Sequence, residues 1–143
     1  MKSLANCKPS EFLKQTNRIR KSVEKWLTDT DIMNIRKRLP TYETAEKGIS
    51  AEERKALVER NAEREREQAK KNISAMLDAI LEEHPDETLE VLALCCFVEP
   101  EDADNHSVKE YIGVLSELLN DKDVLAFFTS LARLAQTNTE SAS

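Results

Sequence analysis

Apolar residues recur along this chain three or four positions apart, and no segment alternates apolar with polar as a half-buried strand does. Phe12, Ile19, Val23 and Trp26 make the first stripe, behind Pro9 and with Ser10 as the expected N-cap. Asp29-Thr30-Asp31 reads as a turn, after which Ile32, Ile35 and Leu39 fit a short helix that Pro40 stops. Residues 40–49 contain a proline and a glycine but no apolar period, which marks them as a hinge. Ser50 and Glu53 have capping-box spacing and predict a long helix running to about residue 83.

That helix changes character midway. Between Glu52 and Lys71, thirteen of twenty residues are charged, with the signs interleaved. Such a stretch is either a solvated helix laced by ion pairs or an arm that docks on a partner. From Ile73 a full core-type stripe begins: Ile73, Met76, Leu77, Ile80 and Leu81. His84-Pro85 opens another helix, with Leu89, Leu92, Ala93, Cys96 and Phe97 as its inner face. Val91, Leu94 and Cys95 make it apolar almost all round, as a central helix is. After an acidic loop, Ser107 and Glu110 form a second capping box. Val108, Tyr111, Leu115, Leu118 and Leu119 line the helix that follows. Asn120-Asp121 marks a turn, and Val124, Leu125, Phe128, Leu131 and Ala135 line the last helix.

The pattern predicts an all-α protein: a compact helical bundle with a long charged helix and a basic N-terminal helical segment. We expect a basic segment at 1–39, a hinge at 40–49 and a helical domain at 50–136. Within that domain 50–72 is the charged helix and 73–136 the bundle core; 137–143 is a disordered polar tail. Composition agrees. The 143 residues hold only 2 Gly and 4 Pro, and aromatics are 5%.

Net charge is −6 but split: residues 1–38 hold ten Lys/Arg against four Asp/Glu (+6), and residues 39–143 eleven against twenty-three (−12). A basic head and an acidic body could attract each other, or two copies could meet head to tail. No apolar run reaches membrane-span length, and the N-terminus has no apolar signal core, so a cytoplasmic protein is expected.

Sites for chemistry are missing. There is no GxGxxG, no GxxxxGK[ST] and no HExxH. Cys7, Cys95 and Cys96 are an odd count without a CxxC pair, and the last two read as small buried hydrophobes. His84 sits at a helix junction and His106 in an acidic loop, places that suit helix-end or surface roles better than metal binding. We expect no catalytic, cofactor or metal site and no enzyme activity. DNA binding through Arg18, Arg20, Lys21, Lys25, Arg36, Lys37 and Arg38, on two helices spanning residues 10–39, is the alternative function. The acidic body disfavours nucleic acid.

Three stretches carry a family likeness: Leu92–Glu101, Ser107–Asp121 and Val124–Leu131. With Asn6–Thr16 and Trp26–Met33, they resemble the tail assembly chaperones of long-tailed bacteriophages and prophages of Firmicutes. The resemblance covers most of the chain and is weakest at 40–70. It implies a small acidic helical protein of the host cytoplasm, absent from the mature virion, that coats the tape-measure protein and keeps it soluble. It also implies self-association and, in a longer frameshifted form, contact with tail tube subunits. Leu94, Phe97 and Phe127 are candidate partner-binding residues; equally, they could pack inside. A structural protein that stays in the particle is a further alternative.

Overall fold

A computed structural model describes residues 1–134 in full and, beyond them, the backbone course of the last helix. Among the described residues there are helices and no strands. The α-helices are α1 (Pro9–Thr30), α2 (Ile32–Arg36), α3 (Ala51–Leu77), α4 (Pro85–Cys95), α5 (Val108–Asn120) and α6 (Lys122–Ala142). A π-helical turn, Asp78–Glu83, continues α3, and a 3-10 segment, Pro100–Asn105, precedes α5. Instead of the disordered polar tail expected at 137–143, the backbone continues α6 to Ala142, and Ser143 lies outside the described residues. No helix among those described is long and apolar enough to cross a membrane.

The helix starts follow the capping chemistry, with one correction. Ser10 is not the first cap: the Lys8 carbonyl accepts from the Phe12 N–H at 2.8 Å, which puts Pro9 at the first helical position. Proline suits that place because its missing N–H would be unpaired there anyway. Ser50 caps α3 by accepting from the Glu53 N–H. Ser107 and Glu110 form the complete box, each side chain bonded to the other's backbone N–H. Asp121 caps α6, its Oδ1 accepting from the N–H groups of Asp123 and Val124, both at 3.0 Å.

The chain forms two compact units, Met1–Glu24 with Leu89–Ser143, and Lys25–Thr88. In the second, α1 and α2 are separated by one residue, Asp31, in left-handed conformation (φ 55°). Ile32, Ile35 and Ala79 are buried together, with Trp26, Leu27, Ala75, Met76 and Ile80 packed around them. The buried edge of α3 and its π-helical extension is therefore Asn72, Ala75, Met76, Ala79 and Ile80. The expected stripe is turned by one position: Ile73, Leu77 and Leu81 are 59%, 49% and 64% exposed. Small Ala75 and Ala79 let α2 come close, which larger residues would prevent. Leu39, expected inside α2, lies beyond its end and is 75% exposed.

Residues 37–49 run back along α3 as an extended strap. Asn72 Nδ2 donates to the carbonyls of Arg36 and Arg38, closing the end of α2. Arg64 donates to the Thr41 carbonyl, and Asn61 bonds both the N–H and the C=O of Glu43. The strap turns at Gly48, where φ is 84°, a value glycine adopts without strain. The charged half of α3 carries intrahelical pairs, Glu63–Arg66 and Glu67–Lys70, and also the platform for this strap.

In the other unit the core is Ala93, Cys96, Val98, Ala103, Tyr111 and Val114, with Leu89 against it. Tyr111 donates its hydroxyl to the Ala103 carbonyl at 2.6 Å, which satisfies the buried phenol. Gln15, on the apolar side of α1, is buried and donates to the Leu94 carbonyl at 2.7 Å. On α5, Tyr111 and Val114 are buried, whereas Val108 and Leu119, expected to line its inner face, are 72% and 65% exposed.

Candidate protein-binding surface

The last helix holds the unusual feature. Val124, Phe127, Phe128, Leu131 and Leu134 fall at i, i+3, i+4, i+7 and i+10, the spacing of a core-facing stripe. Only Val124 is buried. Phe127, Phe128, Leu131 and Leu134 are exposed, Leu134 by 61%, and Leu125 beside them is exposed too. The expectation that α6 buries Leu125, Phe128 and Leu131 is thus corrected: past its first turn, among the described residues, Phe12 packs on Phe127 and Phe128, and the apolar face is otherwise largely exposed. Ala135 lies outside the residues whose side chains are described. A second row, Val108, Ile112 and Leu119, stands exposed on α5.

Aromatic contacts fix the base of the α6 row. Phe12 meets Phe127 edge to face at 5.3 Å between ring centroids and Phe128 at 6.3 Å; the two α6 rings are 5.5 Å apart. A shallow depression of about 310 Å³ opens beside them, lined by Leu4, Phe12, Asp121, Asp123, Val124 and Phe127. The N-terminal residues form its edge. Ser3 and Leu4 are buried, and the Ser3 N–H donates to Asn6 Oδ1 in a local turn. Lys2 is paired with Glu11 and lies 5.9 Å from the centroid of the Phe97 ring.

The three residues singled out in the sequence separate. Leu94 is buried, 3% exposed, and packs inside. Phe97 is half-buried and serves the end of α4. Its φ is 58°, its N–H donates to the Leu94 carbonyl, and the Val98 N–H donates to the Ala93 carbonyl. This is a Schellman closure with a phenylalanine where glycine is usual. Phe127 alone of the three is exposed, at 39%. Phe128, Leu131 and Leu134 were missed because their spacing is that of ordinary core residues; periodicity shows an apolar face, not what covers it.

The basic residues of the N-terminal region are partly engaged. Arg18 makes a two-pronged pair with Glu99, at 2.9 and 2.8 Å, which holds the Glu99 carboxyl below its ordinary range and raises the guanidinium. Arg20 bonds Glu24 and Asn17. Arg36, Lys37 and Arg38 are exposed, but α2 is five residues long, a single turn where a groove-reading helix presents several side chains.

A larger recess, about 630 Å³, lies between the strap and the first turns of α3, lined by Tyr42, Glu43, Ala45, Ile49, Glu53 and Leu57 among others. Arg60 hydrogen-bonds Glu43 at 2.6 Å and lowers its carboxyl from the usual value; Glu65 accepts from the Tyr42 hydroxyl and raises it. Burial pushes the Cys95 thiol up, and that of Cys96 to about 11, so the thiolate that nucleophilic chemistry needs is disfavoured at both. Among the described residues no three His, Cys, Asp or Glu side chains come together as metal ligands. No family model, curated protein or solved structure matches the chain.

Proposed function

We propose that this protein is a tail assembly chaperone of a long-tailed bacteriophage or prophage. It would hold the tape-measure protein soluble in the host cytoplasm by binding apolar faces of that long helix. The observation that carries the reading is the exposed apolar stripe Phe127, Phe128, Leu131 and Leu134 on α6. An amphipathic helix with anchors three and four residues apart can lie along such a row, its apolar side chains meeting these. Contiguous exposed apolar rows on protein surfaces mark sites of interaction with other proteins. Many copies along one client would turn weak single contacts into stable coverage. The identity of the client rests on the resemblance of residues 6–16, 26–33, 92–101, 107–121 and 124–131 to the tail chaperones.

Coexpression tests the proposal. The tape-measure protein encoded beside this gene should stay soluble and copurify with the wild-type chain. Failure to do either, with both proteins expressed, would sink it.

A further inference from the structure

We propose that the exposed edge of α3 and its π-helical extension is a two-fold interface, and that its occupant is a second copy of this chain in antiparallel register centred on Leu77. Ile73, Leu77 and Leu81 follow at four-residue intervals and are all half or more exposed. The row spans about two helical turns. Its symmetry is in the sequence: Leu77 is midway between Ile73 and Leu81. An antiparallel copy centred on Leu77 sets Leu77 against itself and Ile73 against the partner's Leu81.

Charge selects the same register. Lys70 and Lys71 flank one end of the row, and Glu82 and Glu83 flank the other; all four are exposed. A two-fold axis at Leu77 brings Lys70 of each copy, which its own chain pairs with Glu67, toward Glu82 of the other, at both ends at once; Lys71 and Glu83, two residues from the row, lie farther round the helix. A parallel pairing would set lysines against lysines and glutamates against glutamates. Such an isologous contact closes on itself and gives a dimer, not a filament. Asp78, next to the axis, comes near its own symmetry mate and is the unfavourable element of the arrangement. The apolar row is short, so the dimer is weak, below the standard interface of about 1,600 Å². The inference concerns a different surface from the α6 row and stands whether or not the client is a tape measure.

Sedimentation equilibrium over rising concentration tests it. The wild-type chain should pass from monomer to dimer, and Leu77→Glu should weaken the dimer at least about tenfold with unchanged helix content. Lys70→Glu with Lys71→Glu should weaken it, as should Glu82→Lys with Glu83→Lys. Mixed together, these two charge-reversed proteins should form a heterodimer, because both ends are then complementary. Leu77→Cys should cross-link to itself under mild oxidation, beyond the background of the native cysteines. A wild-type chain that stays monomeric overturns the proposal. So does a dimer indifferent to Leu77→Glu, or charge-reversed proteins that pair no better mixed than apart.

Discussion

Phe97 and Thr88 show how single side chains hold the helix ends. Phe97 closes α4 in left-handed conformation, which costs a residue with a Cβ about 1–2 kcal/mol. Replacing it by alanine keeps that cost and removes the ring; replacing it by glycine removes both. Phe97→Gly should therefore unfold at higher urea than Phe97→Ala, by about 1 kcal/mol, and equal stabilities would show that the backbone there is unstrained. Thr88 ties the π-helical turn. Its hydroxyl accepts from Trp26 Nε1 at 2.9 Å and lies within reach of the carbonyls of Ile80 and His84. The Ile80 carbonyl faces Pro85 five residues on, which has no N–H to give it, whereas the His84 carbonyl also accepts from the Thr88 N–H at 3.2 Å. Thr88→Val keeps the shape and strips these bonds, so stability should fall by about 1–3 kcal/mol. The fluorescence of Trp26, the sole tryptophan, should report the change before unfolding. Neither role was legible in the sequence: a left-handed phenylalanine has no compositional sign, and a threonine in the first turns of a helix is commonplace.

At the scale of elements, the ends were easier to read than the faces. Ser50 and Ser107 cap as their spacing predicts, because a cap depends on residues within one turn. Which edge of α3 is buried depends on what approaches it, and α2 selects the small side, leaving Ile73, Leu77 and Leu81 outside. The strap was beyond periodicity altogether, since it is held by polar bonds to α3 that have no repeat. Those bonds make its hold pH-dependent. Glu43 sits below the ordinary carboxylate range because Arg60 hydrogen-bonds its charged form, with Arg64 adding attraction. A folded pKa below the unfolded one means that the tie is complete above the unfolded carboxylate value, about 4.3. It is lost as pH falls through the depressed folded value. Backbone amides of residues 41–45 should exchange faster with solvent hydrogen as acid passes that point, and Glu43→Gln should exchange faster already at neutral pH. Equal exchange in the variant and the wild type at neutral pH would mean that the strap does not depend on this pair.

For the whole molecule, the sequence shows an all-helical chain but not which helices share a core: residues 1–24 group with residues 89–143, far apart along the chain. It also shows an apolar stripe on α6 without showing that most of the stripe is left exposed. That difference decides what substitution there does. In a core, Leu131→Glu and Leu134→Glu would each bury a carboxylate and unfold the protein. On this surface, side chains 46% and 61% exposed lose little on replacement. Each change should alter stability by no more than about 0.5 kcal/mol. If the row is where a client helix lies, the double variant should keep its helix content and melting temperature while losing the client, since a charge facing an apolar anchor must be desolvated on binding. Val124→Glu is the contrast: Val124 is buried at the base of the same stripe, 8% exposed, and its replacement should lower stability together with binding. Measuring thermal melting and client copurification on both variants separates the two roles. A double variant that melts early would show that the stripe is core; one that melts normally and still retains the client would move the binding surface elsewhere.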